Sequence, residues 1–267
     1  MAIQPITDDE FGRFQRLIFD IAGISMCPAK KMMVASRLQR RLVHYGLNRF
    51  GDYYRLVAGE SHPGEMQTLV DLLTTNETYF FREPTHFVYF RDHILSQQRA
   101  TPFRVWSAAC SSGEEVYSLA MVLADTVNGS AWEIMGSDLS LRVLHRAQKG
   151  HYPMDRNEGI DAAHLKKYCL KGVRSQANTF LIDQKLKARV RFRQINLKEK
   201  LPNIGRFDVI FLRNVLIYFN QETKKEIVQR VIRQLKPGGY LFISHTESLH
   251  GIAPELQMAD PAIFCKR

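Results

Sequence analysis

The sequence lacks any cysteine pair at metal or disulfide spacing: Cys27, Cys110, Cys169 and Cys265 are scattered and none forms C-x-x-C. That excludes a zinc knuckle and a disulfide framework, and leaves reduced thiols. No uncharged apolar run approaches the ~18 residues that a bilayer-spanning helix needs, and the opening MAIQPITDDEF has no basic head followed by an apolar stretch. A cytoplasmic protein is expected. Internal repeats and low-complexity segments are missing as well. Acids are in short supply, 27 against 37 Lys and Arg, for a formal net charge of +10. This excess points to an acidic partner, which charge alone cannot sort among nucleic acid, anionic lipid and protein.

What is present suits a soluble α/β chain of 267 residues, 45% hydrophobic, long enough for one large domain or two smaller ones. Residues 1–90 carry helical patterning only. ITDDEFGRFQRLIFDIAG has Thr7 as an N-cap with Glu10 three residues on, then Phe11, Phe14, Leu17, Ile18 and Ile21 on one face. AKKMMVASRLQRRLVHYG and PGEMQTLVDLLTT follow, so a small all-α domain and linker are expected over 1–90. From Phe103 short apolar strands alternate with helices (FRVWSAA, WEIMGSD, FDVIFLRN, YLFISH), the pattern of βαβ units and a parallel sheet over 91–267. RDHILSQQRATP reads as a linker between the two parts. Residues 151–195 interrupt the rhythm, and their alternating segments TFLID and ARVRFRQI read as an inserted antiparallel hairpin.

The first strand runs into WSAACSSGEEVYS, where α/β nucleotide-binding domains place their cofactor loop, yet it holds one glycine, Gly113. A dinucleotide loop uses several glycines to admit a pyrophosphate; here Ala109 and Ser111 stand in those places and the acids Glu114 and Glu115 follow. Acids there would repel a pyrophosphate and suit a ligand with an ammonium or sulfonium. Asp138, at the end of the second strand, is placed to accept from ribose hydroxyls. Together these favour S-adenosylmethionine; the bland alternative is an ordinary strand-to-helix turn with two solvated first-turn acids.

LLTTNETYFFRE (72–83), RVWSAACSSGEEVYSLA (104–120), GSD (136–138), FDVIFLRNVLIYF (207–219) and LKPGGYLFISHTES (235–248) resemble the bacterial chemotaxis receptor methyltransferases. The resemblance covers nearly the whole chain in the family's order. It implies a class I S-adenosylmethionine-dependent, Rossmann-like methyltransferase domain with an inserted small antiparallel β subdomain, preceded by a small all-α N-terminal domain. The implied activity is methyl transfer from S-adenosylmethionine to glutamate side chains of methyl-accepting chemotaxis receptors, leaving S-adenosylhomocysteine. Carried over by position, the cofactor contacts fall on Asn76, Thr78, Arg82, Glu115, Asp138, Asn196, Leu197, Arg213 and Asn214. Asn196 and Leu197 would face adenine, Asp138 the ribose, and Asn76, Thr78, Arg82 and Glu115 the methionine end. Arg82 and Tyr218 are the implied catalytic pair, while His245 is expected to be structural.

A sulfonium methyl is already activated and a glutamate, pKa near ~4.3, is ionised at neutral pH, so positioning suffices and no metal is expected. The implied partner is the helical cytoplasmic domain of the receptors, without nucleic acid or membrane insertion. Between Pro28 and Leu56 stand seven Lys or Arg and one acid, Asp52. Lys30, Arg37, Arg41 and His44 fall on one helical stripe, the expected receptor-docking face. Some relatives also grip a receptor C-terminal peptide through the insertion, but the turn KGVRSQANT lacks the paired glycines of that version. Two rivals are a nucleic-acid methyltransferase and a non-catalytic cofactor-binding scaffold. Against the first, RNVLIY stands where base N-methylation would use Asn/Asp-Pro-Pro-aromatic, and no Pro-Cys nucleophile occurs.

Overall fold

The computed structural model describes residues 3–59, 61–97, 102–127 and 131–267. Its first part consists of helices α1 (Asp8–Ala22), α2 (Lys31–His44), α3 (Phe50–Ala58) and α4 (Glu65–Leu73). α1 begins on the expected capping box: Thr7 Oγ1 accepts from the Glu10 N–H at 3.2 Å and the Glu10 carboxylate from the Thr7 N–H at 2.9 Å. Phe11, Phe14 and Ile18 then pack with Val34, Leu38 and Leu42 of α2, Tyr53 of α3 and Leu69 of α4 around one apolar core.

The chain next crosses to the α/β part through α5 (Pro84–Tyr89), with Pro84 in the first turn, where its missing N–H costs nothing. A π-helical turn, Phe90–Ile94, and a 3₁₀ turn, Leu95–Gln97, extend it. Phe80, Phe87, Phe90, Ile94 and Leu95 are buried in the core of the α/β sheet. The expected linker RDHILSQQRATP is therefore corrected over 91–97, because burial of Ile94 and Leu95 outweighs the polar residues around them. Residues 98–101 of that stretch lie outside the described residues.

The α/β part runs β1 (Phe103–Ala108), α6 (Glu114–Thr126), β2 (Trp132–Asp138), α7 (Leu141–Lys149), β3 (His151–Pro153), α8 (Ala162–Tyr168), β4 (Cys169–Lys171), β5 (Thr179–Ile182), α9 (Gln184–Lys187), β6 (Val190–Gln194), β7 (Phe207–Phe211), α10 (Gln221–Ile232), β8 (Leu235–Phe242), β9 (Leu256–Asp260) and β10 (Ile263–Lys266). The main sheet has the order β6-β2-β1-β7-β8-β10-β9, parallel through β8, with β10 antiparallel to both neighbours. This is the Rossmann-like methyltransferase architecture expected, and its strand order reverses direction between β1 and β7, where such sheets open a ligand crevice.

The insertion is present but differently composed. β5 pairs antiparallel with β3 and β4 in a separate three-stranded sheet. ARVRFRQI is no hairpin partner of TFLID: it forms β6 and pairs parallel with β2, Ile134 opposite Val190 and Asp138 opposite Gln194. The short α9 turns the chain away from β5, and Phe192 packs edge-on to Tyr117 of α6, at 5.9 Å between ring centres, on the main core. The inserted sheet thus ends at 182 rather than 195. α10 stops at Ile232 and LKPGG opens β8; Pro237 sits inside β8 beside a register shift against β7, a position that tolerates a missing donor.

Candidate active site

A cleft enclosing about 1260 Å³, part of it open to solvent, lies at the carboxyl ends of β1, β2, β6 and β7. Asn76, Thr78, Arg82, Glu115, Asp138, Asn196, Leu197, Arg213, Asn214 and Tyr218 all line it. Residues more than a hundred positions apart converge there because each follows a strand end or belongs to the segment crossing above them.

The loop after β1 explains its single glycine. Gly113 has φ +95°, and a Cβ there would lie 2.8 Å from that of Ala147 on α7, so no side chain fits. Ala109 and Ser111 adopt left-handed backbone too, φ +66° and +49°, without being glycine. Such residues persist only where surroundings hold them. Here the Ser111 N–H donates to Asp138 Oδ2 at 2.9 Å and its hydroxyl to the Asn76 carbonyl at 2.9 Å. Asp138 also accepts from the Ser140 N–H at 2.9 Å. Burial pushes the Asp138 carboxyl up, against the pull of these backbone donors. Two of its roughly four lone-pair sites remain for a ligand.

Glu114 and Glu115 are not solvated first-turn acids. Glu114 is buried beside the Ser112 hydroxyl, and burial raises its pKa. Glu115 accepts from Ser107 Oγ at 2.7 Å and from Arg213 Nη1 at 2.8 Å. The Arg213 side chain, 1% exposed, donates its other arm to the Arg82 carbonyl at 2.5 Å and lies 3.3 Å from Glu83 Oε2. Arg213 is thus the buried post that ties α6 to the 82–83 segment. That segment is strained, with φ +54° at Phe81 and +57° at Glu83, and it holds the Arg82 side chain at the cleft. Arg82 donates to the Glu77 carbonyl at 3.1 Å and its guanidinium lies 5.6 Å from the centre of the Tyr79 ring.

Asn196 lines the cleft, but its side chain is already engaged. The amide donates to the Ile21 carbonyl at 2.7 Å and to Glu199 at 3.0 Å, while Oδ1 accepts from the Lys198 N–H at 3.1 Å. A contact to adenine from Asn196 would use its backbone or the second lone pair of Oδ1, since both amide protons are taken. The Tyr218 hydroxyl makes no hydrogen bond among the described residues, and Lys30 Nζ stands 5.6 Å from its ring centre.

Two of the four side chains of the expected docking stripe are engaged within the protein. Arg41 is locked to Glu65, Nε to Oε1 at 2.8 Å and Nη2 to Oε2 at 2.6 Å, with Tyr45 and Tyr53 donating to the same carboxylate. Burial would raise the Glu65 pKa, but these donors hold it below its ordinary value. Arg37 donates to the carbonyls of Leu72, Leu73 and Thr74, filling acceptors at the C-terminus of α4. Both arginines therefore serve the fold. Helical spacing alone could not show this, since a salt bridge inward and a charge outward look alike on a wheel. His44 is exposed, and Lys30 belongs to the cleft wall. The outward face of α2 instead carries Met32, 74% exposed, Val43, 67% exposed, and the exposed Arg40.

Several contributors escaped sequence reasoning. Ala22, Ile24, Met26 and Met33 of the helical part complete one wall, and the bridge between Ile24 and Phe219 seats that wall on the Tyr218 turn. No local pattern marks such contacts. Glu83, His86 and His245 bring possible metal-ligand atoms within 4.8 Å of one another. Arg213 already stands against the Glu83 oxygen they would share and Ser244 Oγ donates to the other at 2.8 Å, so this carboxylate is neutralised within the protein.

Comparison with known proteins matches residues 9–74 to the family description "CheR methyltransferase, all-alpha domain" and residues 76–263 to "CheR methyltransferase, SAM binding domain". A chemotaxis protein methyltransferase of Escherichia coli is 41% identical over 262 residues, covering 97% of this chain and 91% of that protein. One from Salmonella typhimurium is 36% identical, covering 97% and 90%, and one from Borreliella burgdorferi 34%, covering 98% and 95%.

Proposed function

The chain belongs to the CheR methyltransferase family, and on that premise we propose that it is a chemotaxis protein methyltransferase that esterifies receptor glutamates in this cleft. One observation carries the assignment of the site: the ten cofactor and catalytic positions implied by resemblance, separated in sequence, all line one crevice at the strand-order reversal. The cleft suits its cofactor chemically. Acidic Asp138 and Glu115 and a loop of one glycine offer nothing to a pyrophosphate and are compatible with a ribose and a cationic amino-acid end. When bound, S-adenosylmethionine supplies an activated methyl group.

The protein's own residues then have positioning tasks. Asp138 keeps acceptor capacity for the ribose, and Leu197 offers an apolar surface to the base. Arg213 holds Glu115 at the methionine end. Arg82 steers the incoming glutamate without closing a tight ion pair, which would blunt the nucleophile, and the free Tyr218 hydroxyl donates beside the acceptor. A receptor cytoplasmic fragment with labelled S-adenosylmethionine should yield base-labile methyl ester, and base-stable label would sink the carboxylate assignment. Arg82→Ala and Tyr218→Phe should each lower turnover about tenfold or more. Wild-type rates in both variants would refute their roles.

The helical part is the receptor-docking element in this reading, with Lys30 at the cleft mouth and Arg40 and His44 on the exposed face of α2 beside Met32 and Val43. An acidic, amphipathic helical domain complements such a face. Arg40→Glu with His44→Glu should raise the KM for receptor fragment several-fold, most at low salt, and leave cofactor affinity unchanged. Unaltered KM at low salt would place docking elsewhere.

A further inference from the structure

We propose that Glu247, which does not line the cleft, is a positioning residue for methyl transfer, holding the turn that presents Asn214 and Tyr218. After β7 the chain leaves the sheet through Arg213, takes a left-handed step at Asn214, φ +57°, and closes a 3₁₀ turn over Leu216–Tyr218. In this turn the N–H groups of Asn214 and Leu216 face no backbone acceptor among the described residues; both donate to the Glu247 carboxylate, at 3.2 and 2.8 Å. A third donor, the Ser244 N–H at 2.8 Å, comes from the segment following β8.

One carboxylate therefore fastens the exits of two adjacent strands. Ser244 reinforces the clamp: its hydroxyl accepts from Asn214 Nδ2 at 2.8 Å and donates to Glu83 Oε1 at 2.8 Å, which connects the turn to the segment bearing Arg82. Carboxylates accept such multiple N–H donors well, because every approaching group is a donor and the site offers only acceptors. Glutamine in its place would set an NH₂ against a backbone N–H and lose at least one bond, while keeping size and shape. The turn would then relax at Asn214, which holds a left-handed backbone, and Tyr218, four residues on, would lose its register toward the acceptor. Displacement of about 1 Å at a reacting centre can cost up to about a hundredfold in rate.

This rests on the role given to Tyr218 above, and a double-mutant cycle separates the two ideas. Wild type, Glu247→Gln, Glu247→Asp, Tyr218→Phe and the Glu247→Gln/Tyr218→Phe double variant are assayed with receptor fragment, each normalised to the fraction of chains that bind S-adenosylhomocysteine. Glu247→Gln should lower kcat about tenfold or more, with KM for receptor changed less than about threefold; Glu247→Asp, which keeps the charge, should recover part of the loss. In the Tyr218→Phe background the Gln substitution should cost less than about threefold, because the group it positions is already gone. The full loss persisting in that background, a loss that vanishes on normalisation, or a wild-type kcat for Glu247→Gln would each overturn the proposal. A silent Tyr218→Phe would refute the Tyr218 assignment and this proposal with it.

Discussion

Replacing Arg213 with methionine is expected to destabilise the protein by about 3–5 kcal/mol, the largest effect of any single substitution at the site. The size follows from what remains. Glu83 and Glu115, their side chains 17% and 14% exposed, would face each other's surroundings without the guanidinium that now stands 3.3 and 2.8 Å from them. Removing one partner of a buried ion pair costs more than the pair contributes, because the surviving charge is stranded in a poor solvent. Methionine matches the length of the arginine stem but offers neither charge nor donor. Lysine would do little better, since one ammonium cannot reach Glu115 and the Arg82 carbonyl in two directions as the planar fork does. Urea unfolding at neutral pH measures the loss. Adding Glu115→Gln to the methionine variant should restore part of it, as a neutral amide needs no counter-charge. A loss below about 1 kcal/mol in Arg213→Met would mean that water or a shifted side chain replaces the guanidinium, and that Arg213 is no post.

The same residue shows how far the sequence could be read. RNVLIY and TTNETYFFRE announced that Arg213 and Arg82 belong together, and they do meet, through a bond from the Arg213 guanidinium to the Arg82 carbonyl. What resemblance could not supply was the direction of each polar group. Arg213 and Asn196 came forward as ligand contacts, yet their side chains are largely spent on protein acceptors 98 to 175 positions away in sequence. The direction of Arg37 and Arg41 was hidden for the same reason: their acceptors, the carbonyls that end α4 and the Glu65 carboxylate, lie on another helix, and a helical wheel contains one helix. The architecture was more legible because strand and helix periodicities are local. The failure at β6 is instructive. ARVRFRQI alternates as well as TFLID does, and alternation names a strand without naming its neighbour. Only the turn through α9 and the packing of the half-buried Phe192 against Tyr117 decide that it joins the main sheet. Glu247 left no signal in pattern or charge, since its three donors are backbone groups that every residue carries.

Acid should weaken the fold from a higher pH than its carboxylates alone would dictate, because of His86. The imidazole is 1% exposed, stacked edge-on to Phe242 at 5.4 Å, and neither ring nitrogen has a hydrogen-bond partner; Nδ1 lies 3.5 Å from Glu83 Oε2, too far for a good one. Burial pushes its pKa down from 6.5 to about 3, helped by the Arg213 guanidinium and His245 and opposed by Glu83. The folded protein thus keeps His86 neutral where the unfolded chain would protonate it. The stability tied to this neutrality is complete above pH 6.5 and drains away as pH falls toward 3, by up to about 1.4 kcal/mol per pH unit. Glu83 adds to the loss lower down: burial would raise its pKa, but Arg213 and the Ser244 hydroxyl hold it below 4.5, so its contribution disappears only under that value. Urea midpoints at pH 7.5, 6.5, 5.5 and 5.0 should therefore fall in the wild type before Glu83 titrates. His86→Phe, which fills the same apolar site and cannot take a proton, should flatten the curve over that interval while leaving the steep fall below pH 4.5. Equal slopes in the two proteins between pH 6.5 and 5.0 would show that His86 is protonated in the fold, paired with Glu83, and that the aromatic shelf around it is wetter than its burial implies.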